Sequence, residues 1–242
     1  MNKEVANTTF QMSPIGTVHS CFKEKFGIPR QPGLVPDARA TIVIHPPYDR
    51  DEAFRGLEQV SHIWLVFVFH QSMRNEWKPM VRPPRLGGNE KVGVFATRSN
   101  FRPNPVGLSL VELISFERVG QQLLLHIKGG DLVEGTPILD IKPYLVYADS
   151  MPGAINTIAE SAPDKIPVIF SAAAKQELEP QQQRYPDIEP LIKSVLELDP
   201  RPAYKARKDD DHIYGCHLYD LNIRWQLQQD HILVINIEQL AE

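Results

Sequence analysis

The sequence predicts a mainly β fold, with an N-terminal β-barrel over residues 1–155 and a small α+β domain over residues 156–242. Three observations predict it. The first 150 residues hold many strand-like segments and little helix, these strands do not alternate with long helices, and the composition changes after Asp149. A doubly wound α/β sheet would require regular alternation of strands and helices. We therefore expect a closed or nearly closed barrel that is not a Rossmann fold.

The barrel begins with two strands, in TVHSC and ARATIVI, and the loop between them is punctuated by glycine and proline. The next segment, DRDEAFRGLEQVSH, predicts a short helix. Its inward face would hold Ala53, Phe54, Leu57 and Val60. The run HIWLVFVFH is continuously apolar, so we expect a strand that is buried on both faces.

Four further strands complete the predicted barrel after a basic, proline-bearing loop. They lie in KVGVFATR, VGLSLVELISFERV, QQLLLHIKGGDL and TPILDIKPYLVY, with turn signals at Val119–Gly120 and Gly129–Gly130. In the C-terminal domain, two helical stretches flank Arg184–Pro186, and the second has an apolar face. Two strands around Gln229–Asp230 end the chain.

Composition argues against several classes of protein. The chain has 242 residues and a net charge of -4, so it lacks the overall basic character of a protein that coats nucleic acid. Its 2 cysteines form no CxxC pair, which argues against a disulfide framework and structural zinc and favours a reducing compartment. The 8 histidines show no metal-binding spacing, so we expect no metal. The N-terminus has no apolar signal core, and the run Ile63–Phe69 is too short to span a bilayer, so we expect a cytoplasmic protein without membrane contact.

One stretch, VGVFATRSNFRPNPVGLS at residues 92–109, interrupts two predicted core strands with polar side chains. These side chains are Arg98, Asn100, Arg102 and Asn104. The arginines offer forked donors for a carboxylate, a phosphate or a base edge, and the asparagines can bind an amide or a purine edge. The alternative is that the arginines cap carbonyls or pair with Asp131 and Glu134. Both interpretations stay open, because binding sites commonly lie on loops of a rigid scaffold.

The same stretch, with GIPRQPGL upstream and DLVEGTPILDIKPYL downstream, resembles the TsaA/YaeB family, whose characterised bacterial members are called TrmO. The resemblance covers nearly the whole chain, including RPAY and YGCHLYDLNIRW near the C-terminus. It implies a barrel, a homodimer with the cofactor near the interface, and a tRNA methyltransferase. The implied methyl donor is S-adenosylmethionine. The implied acceptor is N6 of the threonylcarbamoylated adenosine beside the anticodon, at the position called 37, in threonine tRNA.

The resemblance also implies which residues bind the cofactor. They are Pro29, Arg30, Gln31, His70, Gln71, Arg98, Leu108, Asp131, Leu132, Val133 and Glu134. Arg98 or Arg30 would bind the carboxylate of S-adenosylmethionine. Asp131 or Glu134 would bind its ribose hydroxyls or its ammonium. The two leucines would flank the adenine, with plain strand-core packing as the alternative.

The acceptor nitrogen needs orientation and a route for its proton. The catalytic candidates are Asp140, Asn104 and Tyr144, and His70 is a further group to test. Asp140 and Lys142 lie on one face of a predicted strand, and an ion pair between them is favoured over general-base catalysis. Lys142 would otherwise hold the threonyl carboxylate of the substrate.

Basic side chains are expected to contact the tRNA. The substrate-binding candidates are Arg102, Lys142, Arg82 and Arg85. Two wider clusters comprise Lys23, Lys25, Arg74, Lys78, Arg82 and Arg85 with Trp77 interleaved, and Arg201, Lys205, Arg207 and Lys208. Such clusters can hold phosphates and a loop aromatic can stack on a base, although a solvated surface is the ordinary alternative for each.

The tetrapeptide HPPY at residues 45–48 is similar to a motif of Rossmann-type amino-methyltransferases. No glycine-rich strand–turn–helix precedes it, so we predict a strand followed by a turn. Two other functions stay open. One is a regulatory module that binds S-adenosylmethionine or another nucleotide without catalysis, and the other is a methyltransferase with a different acceptor.

Overall fold

The structure is a computed structural model that describes residues 9–73, 76–86, 90–202 and 212–240. Within these residues the strands are β1 (Gly16–Ser20), β2 (Arg39–Ile44), β3 (His62–Val68), β4 (Met80–Val81), β5 (Val92–Gly93), β6 (Val106–Val119), β7 (Gln122–Lys128), β8 (Pro137–Pro143), β9 (Val168–Phe170), β10 (Tyr214–Leu218), β11 (Leu221–Gln228) and β12 (His231–Gln239). The helices are α1 (Asp51–Phe54), α2 (Val146–Asp149), α3 (Ala172–Arg184) and α4 (Ile188–Leu196).

Six of these strands close into an antiparallel barrel in the order β1-β2-β7-β6-β3-β8. The predicted fold class, a non-Rossmann barrel followed by a small α+β unit, is confirmed. Because neighbouring strands run in opposite directions, β1, β3 and β7 end where β2, β6 and β8 begin. This end of the barrel carries the loop after β1, the turn after β3 and the polar stretch before β6.

Alternating apolar residues fill the barrel. In β7, Leu123, Leu125 and Ile127 point inward and are at most 2% exposed. Each such side chain contributes roughly 1.5–3 kcal/mol through its burial. The strand β3 is not buried on both faces as predicted, because only one face of a barrel wall meets the core. Its outward residues, such as Trp64 and Val66, are half-buried.

Two local elements are shorter than the sequence predicted. The helix expected after β2 is limited to α1 and a 3-10 turn at Leu57–Gln59, because Arg55 is extended, with a ψ of 124°, and Gly56 has a φ of 94°, so the two do not join. The strand expected in KVGVFATR is limited to β5, which pairs with β4, and continues as a 3-10 turn at Val94–Ala96. The polar stretch therefore follows a turn rather than a core strand.

The C-terminal unit is a four-stranded sheet in the order β10-β11-β12-β9, covered by α3 and α4. Three strands, not the predicted two, form its antiparallel part, because the chain also turns at Tyr219–Asp220, where Tyr219 has a φ of 54°. The two helices flank the predicted break at Tyr185–Pro186. The fully buried Trp225 lies in the core of this unit.

The loop after β1 belongs to the core of the C-terminal unit rather than to the core of the barrel. Cys21 and Phe22 are each 1% exposed there, and Phe22 forms an isolated bridge to Leu218 of β10. Burial raises the pKa of the Cys21 thiol to about 12, so the thiol is neutral. Arg39 at the start of β2 pairs with Asp187 before α4 at 2.5 Å. No helix among the described residues is long and apolar enough to cross a membrane.

Candidate functional site

A cavity of about 490 Å³ opens at the end of the barrel where β1, β3 and β7 finish. This volume falls within the roughly 300–1,000 Å³ typical of small-molecule and cofactor sites. Its walls come from the loop after β1, the 3-10 turn His70–Ser72, residues 97–109 and Asp131–Val133. The structure thus brings four segments that are distant in sequence to one opening.

Ten of the eleven predicted cofactor residues line this cavity. They are Pro29, Arg30, Gln31, His70, Gln71, Arg98, Leu108, Asp131, Leu132 and Val133. Arg98 donates to Gln31 Oε1 at 2.5 Å, and Lys25 Nζ donates to the carbonyl of Gln71 at 2.6 Å. These bonds connect the loop after β1 to two other walls of the cavity.

Glu134 does not line the cavity, unlike the other predicted acid. Its carboxylate accepts hydrogen bonds from Ser20 N at 2.7 Å, His19 Nδ1 at 2.8 Å and Lys23 Nζ at 2.9 Å. Burial alone would raise the pKa of this carboxyl, but the bonds from Lys23, His19 and Ser20 together hold it below its usual value. Glu134 therefore joins the end of β1 to the segment before β8.

Asp131 presents the second predicted carboxyl directly to the cavity. Burial raises its pKa, against the opposing effects of the Ser109 hydroxyl, which donates to Oδ1 at 2.5 Å, and of the Arg98 charge. An anion held in this environment gains strongly from a cationic or hydroxyl partner. Of the two predicted acids, Asp131 is the one placed to bind a ligand in the cavity.

The apolar wall of the cavity comes from both faces of the barrel strands. Leu132 is 2% exposed and belongs to the barrel core, whereas Leu108 points outward and is 53% exposed. Phe67 and Phe69 pack edge to face, with ring centroids 5.0 Å apart. Together these residues give the cavity lining its apolar surface.

Sequence reasoning missed the inward-facing small residues at the start of β6. Gly107 and Ser109 line the cavity at positions where the alternation of β6 calls for core side chains. A Cβ at Gly107 would lie 2.2 Å from Cζ of Phe67, so this position leaves no space for a side chain. The signal that could have identified Gly107 and Ser109 as cavity-lining residues is their small size at inward positions of an otherwise apolar strand.

The three predicted catalytic residues lie outside the cavity lining, so their catalytic role stays a prediction. Asp140 pairs with Lys142 at 2.7 Å, which is the ion pair favoured from the sequence. Lys142 of β8 pairs with Trp64 of β3. The distance along β3 from Trp64 to Val68, which lines the cavity, is about 13 Å. Tyr144 is farther still toward the opposite end of the barrel, with its ring against Trp64 at 6.1 Å.

The third catalytic candidate and the basic residues are distributed differently. Asn104 is exposed beside the cavity, in the loop that leads into β6. Arg102 lines the cavity and donates to the carbonyl of Thr97 at 2.8 Å. Arg82 is exposed and does not line it. Arg201 is 1% exposed and paired with Asp199 at 2.7 Å, so it is a structural residue and not part of an open basic surface.

Some predicted tRNA contacts cannot be placed. Outside the described residues are Arg74, Lys205, Arg207 and Lys208, together with the side chain of Arg85. Among the residues that are described, no three His, Cys, Asp or Glu side chains form a group that could hold a metal ion.

Exposed aromatic rings lie beside the cavity, next to basic side chains. Trp77 and Phe95 are stacked with centroids 6.1 Å apart, and they are 46% and 72% exposed. The guanidinium of Arg102 lies 5.9 Å from the Phe95 centroid. Lys78 Nζ lies 5.3 Å from the ring of Phe101. We call Trp77, Lys78, Phe95, Phe101 and Arg102 the aromatic–basic surface.

Comparisons with known proteins agree over nearly the whole chain. Two family models match, one described as the tRNA-methyltransferase O N-terminal domain over residues 17–150 and one as the TrmO C-terminal domain over residues 163–240. The chain is 48% identical over 221 residues to the tRNA (adenine(37)-N6)-methyltransferase of Escherichia coli K12, covering 91% of this chain and 94% of that protein. It is 47% identical over 231 residues to a Pseudomonas aeruginosa protein named "Putative S-adenosylmethionine-dependent methyltransferase RcsF", covering 95% and 98%. A crystal structure of TrmO from Pseudomonas aeruginosa matches with a TM-score of 0.81 at 41% identity, covering 96% of this chain and 99% of that one.

Proposed function

Since the chain belongs to the tRNA-methyltransferase O family, we propose that it transfers a methyl group from S-adenosylmethionine to N6 of adenosine 37 in tRNA. The observation that carries the proposal is the cavity, whose lining includes ten of the eleven residues predicted to bind the cofactor. The chain also matches its relatives over 94% and 98% of their lengths, so the likeness extends to both units.

The chemistry of the cavity fits S-adenosylmethionine. Arg98 and Arg30 would supply cations for the carboxylate, and Asp131 would supply an acceptor for the ribose hydroxyls or the ammonium. Leu132 and the Phe67–Phe69 pair would supply apolar surface for the adenine. When bound, the cofactor provides an electrophilic methyl group on a sulfonium. The protein has to hold it and the acceptor nitrogen at attack distance, because such positioning removes a large part of the entropic barrier to transfer.

We further propose that the acceptor is the threonylcarbamoylated adenosine of threonine tRNA. The threonyl group carries a carboxylate, and Lys25 and Arg102 place cationic side chains at the wall of the cavity. Such groups bind a carboxylate through charge-assisted hydrogen bonds. Lys142, the residue suggested by the sequence for this task, is paired with Asp140 about 13 Å along β3 from the cavity. Within one protomer, Lys25 and Arg102 are therefore better placed than Lys142.

The aromatic–basic surface supports binding of the anticodon loop. An exposed ring beside a cavity can stack on a neighbouring base, and adjacent cations can hold phosphates. Phe95 and Trp77 provide the rings, and Arg102 provides a cation that reaches both the cavity and Phe95. This arrangement would allow an overall acidic chain to bind tRNA through a local surface.

We also propose that the chain works as a homodimer in the cytoplasm. Each protomer would consist of two domains, residues 1–155 and residues 156–242. The segment after β8 supports the dimer because it holds apolar side chains that are 70–87% exposed. They are Val146, Tyr147, Met151 and Ile155. Apolar surface of this kind commonly marks an interface with another protein.

Two separate apolar cores support the division into domains, although the loop after β1 contributes to the second.

Mass spectrometry of nucleosides tests the activity. Purified protein and S-adenosylmethionine would be incubated with threonine tRNA that carries or lacks the threonylcarbamoyl group. We expect a gain of one methyl group on the modified adenosine alone. Methylation of unmodified adenosine would indicate a methyltransferase with a different acceptor. Cofactor binding without any methyl gain would indicate a regulatory module instead.

A further inference from the structure

The loop between β1 and β2 connects the candidate cofactor cavity with the C-terminal unit. We call residues 22–31 the cavity loop. On one side, Lys25, Pro29, Arg30 and Gln31 line the cavity. On the other side, Phe22 is part of the C-terminal core and Phe26 packs against it. Ile28 does both, since it packs on the C-terminal core and also lines the cavity.

Contacts with β10 and its neighbour β11 hold the side of the cavity loop that faces the C-terminal unit. The Phe26 ring stacks on Tyr214 with centroids 6.3 Å apart and an interplanar angle of 16°. Tyr214 in turn stacks on the fully buried Trp225 at 4.8 Å. Glu24, the residue before Lys25, also binds β10, because its Oε1 accepts a hydrogen bond from His217 N at 3.1 Å. The loop is thereby attached to a rigid part of the sheet.

Gly27 determines the conformation of the loop where it passes β10 and α4. Its φ is 89°, in the left-handed region that favours glycine. A Cβ there would lie 3.5 Å from Cβ of Cys216 and 3.6 Å from Cγ1 of Val195. Any residue other than glycine would strain the backbone between Lys25 and Pro29, both of which line the cavity.

We infer that the C-terminal unit is a positioning element of the cofactor site, and that Phe26 is the positioning residue through which it acts. The loop contacts the barrel through Lys23 to Glu134, Lys25 to Gln71 and Gln31 to Arg98, and the Phe22 carbonyl accepts from Glu134 N. Its aromatic side chains, Phe22 and Phe26, are instead in or against the C-terminal core. This inference rests on the proposed function, because it assigns a second role to a unit that was expected from the sequence to contact tRNA.

The test compares two full-length variants that remove the same side chain from the same core. Phe26→Ala removes the anchor of the cavity loop. Phe170→Ala is the matched control, because Phe170 is 7% exposed in that core but lies on β9, at the opposite edge of the sheet from β10. Binding of S-adenosylmethionine would be measured by calorimetry, and unfolding by temperature.

We expect Phe26→Ala to weaken cofactor binding by about 10-fold, because the cavity loop is no longer held in its binding geometry. The KM for S-adenosylmethionine should rise by a similar factor, while kcat at saturating cofactor and the KM for tRNA stay unchanged. Loss of folded protein alone would lower the apparent kcat and leave both KM values as they are. Phe170→Ala should lower the unfolding temperature and bind the cofactor normally.

The outcomes separate this inference from the proposed function. If wild-type protein does not bind S-adenosylmethionine, the proposed function and the inference are both wrong. If wild type binds it and Phe26→Ala binds equally well, or Phe170→Ala weakens binding to the same extent, only the inference is wrong. Should Phe26→Ala fail to fold, Gly27→Ala provides the second variant, with the same expected rise in the KM for S-adenosylmethionine.

Discussion

Asp131 places an acidic group where its charge is poorly solvated. Burial raises the pKa of this carboxyl, and neither the Ser109 hydroxyl nor the charge of Arg98 fully offsets it. A group whose pKa is higher in the folded than in the unfolded state favours folding at low pH, and this contribution is lost as the pH rises above its unfolded value. Near neutral pH, Asp131 therefore lowers the stability of the protein without ligand. A cationic or hydroxyl group of the ligand would recover that energy.

Replacing Asp131 should separate stability from binding. We expect Asp131→Asn to raise the unfolding temperature at pH 7.5 by roughly 2–4 °C, equivalent to about 1 kcal/mol, because the buried charge is gone. The gain should shrink as the pH falls through the ordinary pKa of this carboxyl, 3.8, because below that value the wild-type carboxyl is increasingly protonated in both states. The same variant should bind S-adenosylmethionine more weakly by about 10-fold, since a charge-assisted bond is lost. Thermal scans across pH, together with calorimetry, check both parts, and a lower unfolding temperature at neutral pH would contradict the first.

Gly107 determines the shape of the cavity through the absence of a side chain. An alanine Cβ would lie 2.2–2.7 Å from three atoms of the Phe67 ring, which is held in the barrel core and against Phe69. We expect Gly107→Ala to cost about 1–3 kcal/mol of stability by overpacking and to weaken cofactor binding. The control is Gly93→Ala, since Gly93 has a φ of -59° and a side chain there meets no neighbouring atom. Equal binding of the cofactor by Gly107→Ala and wild type would show that the ring moves without affecting the cavity.

At the scale of elements, Glu134 joins the end of β1 to the segment before β8. Its folded pKa is below the usual value of about 4.5, so its contribution to stability is present above that pH and is lost as the pH falls. We expect Glu134→Gln to lower stability near neutral pH by at most about 1 kcal/mol, because these part-exposed pairs are screened by water. The difference from wild type should shrink as the pH falls below 4.5 and disappear once the carboxyl is protonated in the folded protein as well. Unfolding by urea at several pH values measures it, and a difference that grows with acid would contradict this account.

The elements that the sequence predicted are those with strong apolar patterns. β2, β3, β6 and β7 carry inward residues at every second position, and α4 carries an apolar face. The sequence did not predict that β5 would stop after two residues, because the apolar run VGVFA looks the same in a strand and in a 3-10 turn. It also did not predict the turn at Tyr219–Asp220, which lacks glycine and proline.

The candidate site was predictable only in part, for a related reason. Motif resemblance supplied ten residues that line the cavity, although they come from four separate segments. It also supplied Glu134, whose carboxylate is occupied by three donors that only the folded chain brings together. Lys25, Gly107 and Ser109 line the cavity because of their positions at the open end of the barrel. Their proximity depends on the register in which distant strands pair, and the local sequence around each residue does not show that register.

At the scale of the whole molecule, an acidic chain must bind an acidic polymer. The aromatic–basic surface offers a local solution, in which Phe95 would stack on a base next to the target adenosine. We expect Phe95→Ala to lower kcat/KM for tRNA by about 10-fold, since base stacking contributes roughly 1–3 kcal/mol. Binding of S-adenosylmethionine should be unchanged. Phe10→Ala is the matched control, because Phe10 is 79% exposed and does not line the cavity. Equal activity of the two variants would contradict a stacking role.

The segment after β8 exposes several apolar side chains that do not line the cavity. Tyr147 is 87% exposed, and a charge in its place would have to be desolvated in any interface that covers it. We expect Tyr147→Asp to weaken the proposed homodimer at least about 10-fold, because burying an unpaired charge costs several kcal/mol. Sedimentation velocity over a range of concentrations measures this. Ile169→Asp is the control, since Ile169 is 49% exposed on the C-terminal sheet. A wild-type chain that stays monomeric at high concentration would contradict the proposed homodimer.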